Sequence, residues 1–224
     1  MSSDLLTYFE QRFIKEQKLR SENGPFITIS RETGCEGTGI AKDMISLLKK
    51  AGFKWTFINR EVLEQAANLL KVDQSKISYV FHTSEKKHID EILAALSNRY
   101  YKNDKIVRKT IREVVEFYAR QGNVIIIGRG GAVITENFAN GLHIRLTAPV
   151  EWREKVVGMK KDLRGEELKR YVAENDKMRN LLFEKFSNKS INDFNFDLTI
   201  NCSRFQRNEI VKLIYQVMEM KKMI

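Results

Sequence analysis

The chain is poor in the residues that staple, divide or anchor a protein. Two cysteines, Cys35 and Cys202, are too few for a disulfide framework or a structural zinc site. Two prolines and twelve glycines leave no Pro/Gly/Ser-rich linker, and no repeat period is visible. No apolar run approaches the ~20 residues that cross a bilayer. Val124–Ile127, apolar at each position and β-branched, suits a buried strand. The opening MSSDLLTYFEQRFIKEQK is charged and amphipathic without a cleavable apolar core, so a secretory signal is not expected. These absences point to a cytoplasmic protein with no membrane partner.

What is present suits one large domain. A globular chain of 224 residues buries roughly 70% of its unfolded-state surface and needs no staples. With 42% hydrophobic and 30% charged residues, the composition argues against disorder. Thirty-nine basic against twenty-nine acidic residues give a net charge of +10, which favours polyanions. A nucleotide answers that charge as well as a nucleic acid does. Nucleic-acid surfaces interleave basic residues with exposed aromatics, whereas here the basic residues are spread along most of the expected helices, which argues against nucleic acid.

Residues 2–20 place Leu5, Leu6, Phe9, Phe13 and Ile14 on one stripe, predicting an amphipathic N-terminal extension over 1–24. Such a helix packs on the core or on a second subunit, so a homo-oligomer is one expectation. An apolar run at 26–29 leads through a glycine-punctuated loop into a helix at 39–51. Residues 54–58 read as a second strand, 59–122 as helical with a polar interruption at 83–87, and Val124–Ile127 as a third strand. A fourth strand at 142–147 precedes Pro149, suited to a first helical turn. A charged helical region at 150–187, interrupted near Gly165, leads to a fifth strand at 197–201 and a closing helix at 206–222. Short strands alternating with helices predict an α/β domain with a parallel sheet over 25–224. The long helical stretches at 59–122 and 158–187 read as a subdomain and a lid added to that sheet.

Three constellations bear chemistry. Ser30-Arg-Glu-Thr-Gly-Cys-Glu-Gly-Thr-Gly39 joins a strand to a helix, where glycines let backbone N–H groups face a phosphate and the helix dipole favours an anion. Against the P-loop pattern GxxxxGK[ST], Gly34 and Thr38 match, Glu36 occupies the second glycine, and Gly37 stands where the lysine belongs. Taken alone, the segment equally describes a glycine turn between strand and helix. Arg31, or a basic residue from another segment, is the expected replacement for the missing cation. The second constellation, Gly128-Arg129-Gly130, ends an apolar strand at the sheet edge where ligands bind, and an arginine fork there grips phosphate. The third comprises Arg153, Asp176 and Arg179 in the charged helical region, where a mobile cap could close over a triphosphate. An ordinary salt-bridged helix describes them equally. His82, His88 and His143 lack metal-ligand spacing. Cys35 reads as a small loop residue rather than a nucleophile, and Trp55 and Trp152 as packing residues.

Together the segments ITISRETGCEGTGIAKDM, FINREVLEQAA, VIIIGRGGAV, LTAPVEWREKV, AENDKMR and FDLTINCS resemble the cytidylate kinase-like proteins, a branch of the P-loop nucleoside monophosphate kinases. The resemblance covers about residues 25–220. It implies a P-loop NTPase three-layer sandwich with a five-stranded parallel sheet, a helical NMP-binding subdomain and a lid. It also implies transfer of the ATP γ-phosphoryl group, with Mg²⁺, to CMP or dCMP. On that reading Arg31, Gly34, Cys35, Glu36, Gly37, Thr38 and Gly39 would cradle ATP, and Thr38 would help hold the metal. Gly128, Arg129 and Gly130 would grip the acceptor phosphate, with Arg60 and Arg108 as further candidates. Arg153 and Arg179 would neutralise the transferring group, and Asp176 would orient the lid or acceptor. Positioning and charge neutralisation dominate such chemistry, so several arginines without a general base form a sensible set. The chain departs from cytidylate kinases proper in lacking the loop lysine, in reading GRG for GRD, and in reading Asn59-Arg60 for Asp-Arg. The first two changes are common in the kinase-like branch. They leave two alternatives beside the kinase of a nucleoside monophosphate: a nucleotide-binding regulatory protein without catalysis, and a kinase of another small acceptor.

Overall fold

The computed structural model describes residues 24–58, 104–187 and 190–224. The expected N-terminal helix, Arg60, His82, His88 and most of the NMP-binding subdomain lie outside these residues.

Five strands form one parallel sheet in the order β2-β3-β1-β4-β5. They are β1 (Phe26–Arg31), β2 (Thr56–Ile58), β3 (Val124–Ile127), β4 (Gly141–Thr147) and β5 (Leu198–Asn201). The helices are α1 (Gly37–Lys50), α2 (Asp104–Gln121), a single turn α3 (Gly131–Ile134), α4 (Val150–Lys161), α5 (Gly165–Ser187) and α6 (Arg207–Met220). Helices on both faces bury the strands, so β1 is buried along nearly its whole length and β3 reads as a continuous apolar run rather than as an alternating one.

Strand alternation divides the core into two layers. Ile27 and Ile29 of β1 share a face with Ile125, Ile127, Leu142, Ile144 and Leu146, covered by α1 and α6. Helix α1 contributes Ile40, Ala41, Met44 and Leu48, a stripe at helical spacing, and carries Lys49 and Lys50 where its dipole favours cations. Helix α6 contributes Ile210, Val211, Ile214 and Met218 and begins with a Gln206–Glu209 capping box. On the opposite face Phe26, Val124 and Ile126 meet Ile111 and Val115 of α2 and Phe183 and Phe186 of α5. His143 is buried there as a structural residue: its Nδ1 lies 2.8 Å from Thr28 Oγ1, and burial lowers its pKa.

Several boundaries differ from the sequence expectation. Strand β1 extends through Ser30 and Arg31, and α1 begins at Gly37, so Gly37, Thr38 and Gly39 all sit in its first turn. Pro149 caps α4 from the preceding position, and α3 was not anticipated. The interruption near Gly165 is real: Asp162 and Gly165 both adopt left-handed φ angles, of 52° and 56°. All carboxyl ends of the strands point the same way. Chain progression reverses beside β1, and in open α/β sheets that crevice is where ligands bind.

Candidate functional site

At the end of β1 the chain turns through residues 32–36 into α1. Gly34 has φ +97°, and a Cβ there would stand 3.0 Å from the Cα, Cβ and O atoms of Arg153, so only glycine lets the loop lie on α4. The Cys35 N–H donates to Glu32 O at 3.2 Å, and the Gly37 N–H donates to Cys35 O at 2.9 Å. No side chain caps α1 at Glu36. The Thr38 and Gly39 N–H groups in the first turn therefore have no intrahelical acceptor and form an anion-attracting end.

Helices α4 and α5 hold the loop from behind. Asp176 Oδ1 accepts from the Thr33 N–H at 2.7 Å, and Arg179 Nη1 donates to Thr33 Oγ1 at 2.8 Å. Arg153 is buried, and its fork donates to Ala148 O at 2.9 Å, to Thr33 O at 3.3 Å and to Asp176 Oδ2. Glu32 Oε2 lies 3.3 Å from Arg153 Nε and also accepts from the Ala148 N–H at 3.1 Å. Arg153 and Asp176 thus form a paired brace whose hydrogen-bonding atoms are largely taken up by protein groups.

In front of the loop lies a cavity of about 260 Å³. One wall is Ser30, Arg31 and the Gly128-Arg129-Gly130 turn; the other is Asn175, Met178, Arg179, Leu182 and Phe183 of α5, with Ile191 beside them. Residues 128–130 all have left-handed φ angles, of 67°, 61° and 68°, and the Gly131 N–H closes the turn on Gly128 O at 2.8 Å. A Cβ at Gly128 would overlap Arg31 Nη1, and one at Gly130 would stand 2.6 Å from the Phe186 ring. Farther back, the Arg31 stem crosses Gly37, with its Cδ 3.4 Å and Cγ 3.6 Å from where a Cβ would be.

The electrostatics of this cavity are one-sided. Burial, followed by the Arg179 and Arg129 charges, pushes Arg31 down from its usual range to about 9. Burial also lowers Arg179, with Asp176 partly offsetting it. Guanidinium groups stay protonated at neutral pH, so the three arginines give this partly buried space a positive potential that attracts anions, with Arg179 also 3.8 Å from Asp176 Oδ1.

The structure thus gathers Arg31, Gly128, Arg129, Gly130 and Arg179 around one cavity. Gly34, Cys35, Glu36, Gly37, Thr38 and Gly39 form the adjoining loop and first helical turn. Arg153 and Asp176 stand behind that loop, and Arg108 lies on α2 without lining the cavity. Counted back from Thr38, the eight-residue P-loop pattern begins at Arg31, so Gly34 falls in its variable stretch and is not a match to the first glycine, contrary to the reading of the sequence. Arg31 therefore occupies the first-glycine position while its stem fills the space beside Gly37. Glu36 is engaged by Lys160 and, at 3.3 Å, by Arg207 Nη1, while Arg207 Nε also donates to Asp43 at 2.8 Å. Sequence reasoning missed Glu32, Thr33, Asn175 and the apolar wall. The available signal was the four-residue spacing of Asn175 with Arg179 and of Met178 with Leu182, which puts each pair on one helix face. Among the described residues no cluster of three or more His, Cys, Asp or Glu could hold a metal, and no helix is long and apolar enough to cross a membrane. Thr38, half-exposed in the first turn, suits a Mg²⁺ held chiefly by phosphate oxygens and water.

The chain matches the cytidylate kinase-like family over residues 26–204 and belongs to it. No curated protein matches it in sequence. Among solved structures, a protein from Eubacterium ventriosum ATCC 27560 superposes with TM-score 0.59 at 16% identity, covering 87% of this chain and 98% of that one. The APS kinase of Mycobacterium tuberculosis, solved with AMPPNP and APS, gives 0.51 at 10% identity, with 88% and 99% covered. A shikimate kinase from Bacteroides thetaiotaomicron gives 0.50 at 14% identity, with 87% and 98% covered. At these identities the likeness establishes the fold, an α/β sandwich of the P-loop kinase type.

Proposed function

We propose that this protein transfers the γ-phosphoryl group of ATP to a nucleoside monophosphate, with CMP or dCMP as the first candidates. One observation carries the reading. Arg31, Arg129 and Arg179 face a single cavity at the carboxyl edge of the sheet, beside the uncapped start of α1. The α1 amides and the 33–37 loop would bind the β- and γ-phosphates. Arg31 would supply the charge that the loop lysine supplies elsewhere, reaching the phosphates from the strand end. Mg²⁺, held by phosphate oxygens and the Thr38 hydroxyl, would offset charge on the transferring group. Arg129 would grip the acceptor phosphate and hold it in line. Arg179 would face the equatorial oxygens, anchored by its bond to Thr33. Arg153 and Asp176 would act by fixing the loop rather than by touching the substrate.

A second reading, a nucleotide-binding regulator without turnover, is favoured by the uncharged Gly37 and by Glu36 at the second-glycine position. One assay separates the two. ADP release from MgATP is measured with and without CMP, dCMP and other monophosphates, alongside MgATP binding. Stimulation by one acceptor, abolished in Arg129→Ala with MgATP binding retained, is the expected result. MgATP binding with no acceptor-dependent release supports the regulator. Near wild-type turnover in Arg129→Ala would refute the acceptor-site assignment.

A further inference from the structure

The two cysteines stand 167 positions apart in sequence, and the fold places them side by side. Strand β4 runs between β1 and β5. Just beyond β1 the Glu32 N–H donates to Leu146 O at 3.0 Å, and just beyond β5 the Cys202 N–H donates to Thr147 O at 2.8 Å. The loop bearing Cys35 and the turn bearing Cys202 therefore meet over the end of β4. Both side chains are 6% exposed, belong to one core cluster and are free thiols. The two thiols influence one another directly, side chain to side chain.

We infer that Cys35 and Cys202 are a modification site: a dithiol that a small hydroperoxide oxidises reversibly to an intramolecular disulfide, altering the loop at the start of α1. That mutual influence pushes the Cys35 thiol up and lowers that of Cys202, so Cys202 is the sulfur that reacts first. Its thiolate attacks the peroxide O–O bond, forming Cys202–SOH and releasing water from hydrogen peroxide once the departing oxygen takes up a proton. The Cys35 sulfur then attacks the sulfenic sulfur, the S–S bond forms, and the hydroxyl leaves as water with the Cys35 proton. Two thiols and one peroxide yield one disulfide and two waters; the peroxide gains the two electrons that the thiols lose.

The bridge would reach the candidate site through one residue. Cys35 N–H and C=O make the two backbone bonds that shape the turn, to Glu32 and from Gly37. Drawing its sulfur from side-chain contact to the ~2.05 Å of a disulfide displaces the backbone that sets the α1 amides.

The test treats the full-length reduced protein with hydrogen peroxide and follows intact mass, free thiols and non-reducing electrophoresis. The expected product is a monomer about 2 Da lighter, with both thiols lost together, a Cys35–Cys202 cross-linked peptide, and full recovery with dithiothreitol. In Cys202→Ser, Cys35 should remain reduced at the same dose. Two thiols that persist, oxidise independently to sulfinic acids or form only intermolecular dimers would overturn the inference, as would wild-type oxidation of Cys35 in Cys202→Ser. The thermal shift with MgATP is then compared between forms, and at least a halving on oxidation is expected. An equal shift in both forms overturns the effect on the loop, whereas no shift in the reduced protein counts against the nucleotide reading and leaves the disulfide result standing.

Discussion

Exchanging the residues at positions 31 and 37 offers the most demanding test of how this loop does without a lysine. Arg31 sits where the P-loop pattern has its first glycine, and Gly37 where it has its lysine. In space the two positions are neighbours, since a Gly37 Cβ would stand in van der Waals contact, at 3.4 Å, with the Arg31 stem. Arg31→Gly alone removes a charged hydrogen bond to phosphate, roughly 1.5–3 kcal/mol, which is about 10- to 150-fold in MgATP affinity. Gly37→Lys alone forces a second long chain into occupied space, an overpacking cost of roughly 1–3 kcal/mol, and adds a cation to three already crowded ones. Together the changes restore the pattern at both positions and free the space beside the lysine stem. The double variant should bind MgATP more tightly than the summed single losses allow, by at least about 1.5 kcal/mol of coupling energy. Isothermal titration of the four proteins with MgATP reads this directly. Additive losses, or wild-type affinity in Arg31→Gly, would refute the substitution of one cation for the other.

Asp176→Asn should destabilise the fold by about 2 kcal/mol, less than the roughly 3–5 kcal/mol that breaking a fully buried pair costs, because Asp176 is only partly buried and Glu32 remains beside Arg153. A denaturant midpoint shifted by less than a quarter of that would contradict the brace. Gly130→Ala combines a left-handed φ with a contact 2.6 Å from Phe186, whereas Gly165→Ala meets nothing within 4 Å, so melting curves should show the first to cost at least twice the roughly 1 kcal/mol of the second. For pH, Arg31 lies near 9 in the free protein and a bound anion raises it, so binding takes up a proton only above that value. MgATP affinity should be insensitive to this group between pH 6 and 8 and fall above about 9, by up to about tenfold per unit. Titration across that range in wild type and in Arg31→Ala checks it, and a flat wild-type profile to pH 10 would sink the assignment.

Much of the sheet was legible because its signals are local. Val124–Ile127 is apolar at every position and is a strand from end to end. The α1 stripe of Ile40, Ala41, Met44 and Leu48 announces a helix, yet its start reads two residues late because Gly37 and Gly39 are poor helix formers. Tertiary contact with the loop and α4 overrides that propensity. Arg153 reads as one charge among many in 150–187, but lies buried because α4 packs on Gly34. The thiol pair is invisible at sequence level, since only the β1-β4-β5 order brings residues 35 and 202 together.

The glycines carry the deeper lesson about this loop. In sequence they suggest a backbone made pliant so that its amides can wrap a phosphate. In space, four of them mark where an arginine passes. Arg31 crosses Gly37 and lies over Gly128, Arg153 backs Gly34, and Arg207 Nη1 comes to 3.0 Å from where a Gly39 Cβ would be. A Cβ at Gly128 would overlap the Arg31 guanidinium and one at Gly39 would crowd that of Arg207, while at Gly34 it would meet the Arg153 backbone. The loss of the lysine and of the second glycine is therefore one coordinated change: with no side chain at 37, an arginine from the strand end can enter, and Glu36 in place of the glycine is held by Lys160 and Arg207. Positive charge reaches the cavity from β1, from the turn after β3 and from α5, rather than from the helix that starts at the loop. For that reason Gly128→Ala, whose Cβ would overlap Arg31 Nη1, should reproduce the MgATP-binding defect of Arg31→Ala, whereas Gly37→Ala, in ordinary contact with the Arg31 stem, should cost little. A loop that acted through its amides alone would respond to Gly128→Ala in the absence of that arginine as well.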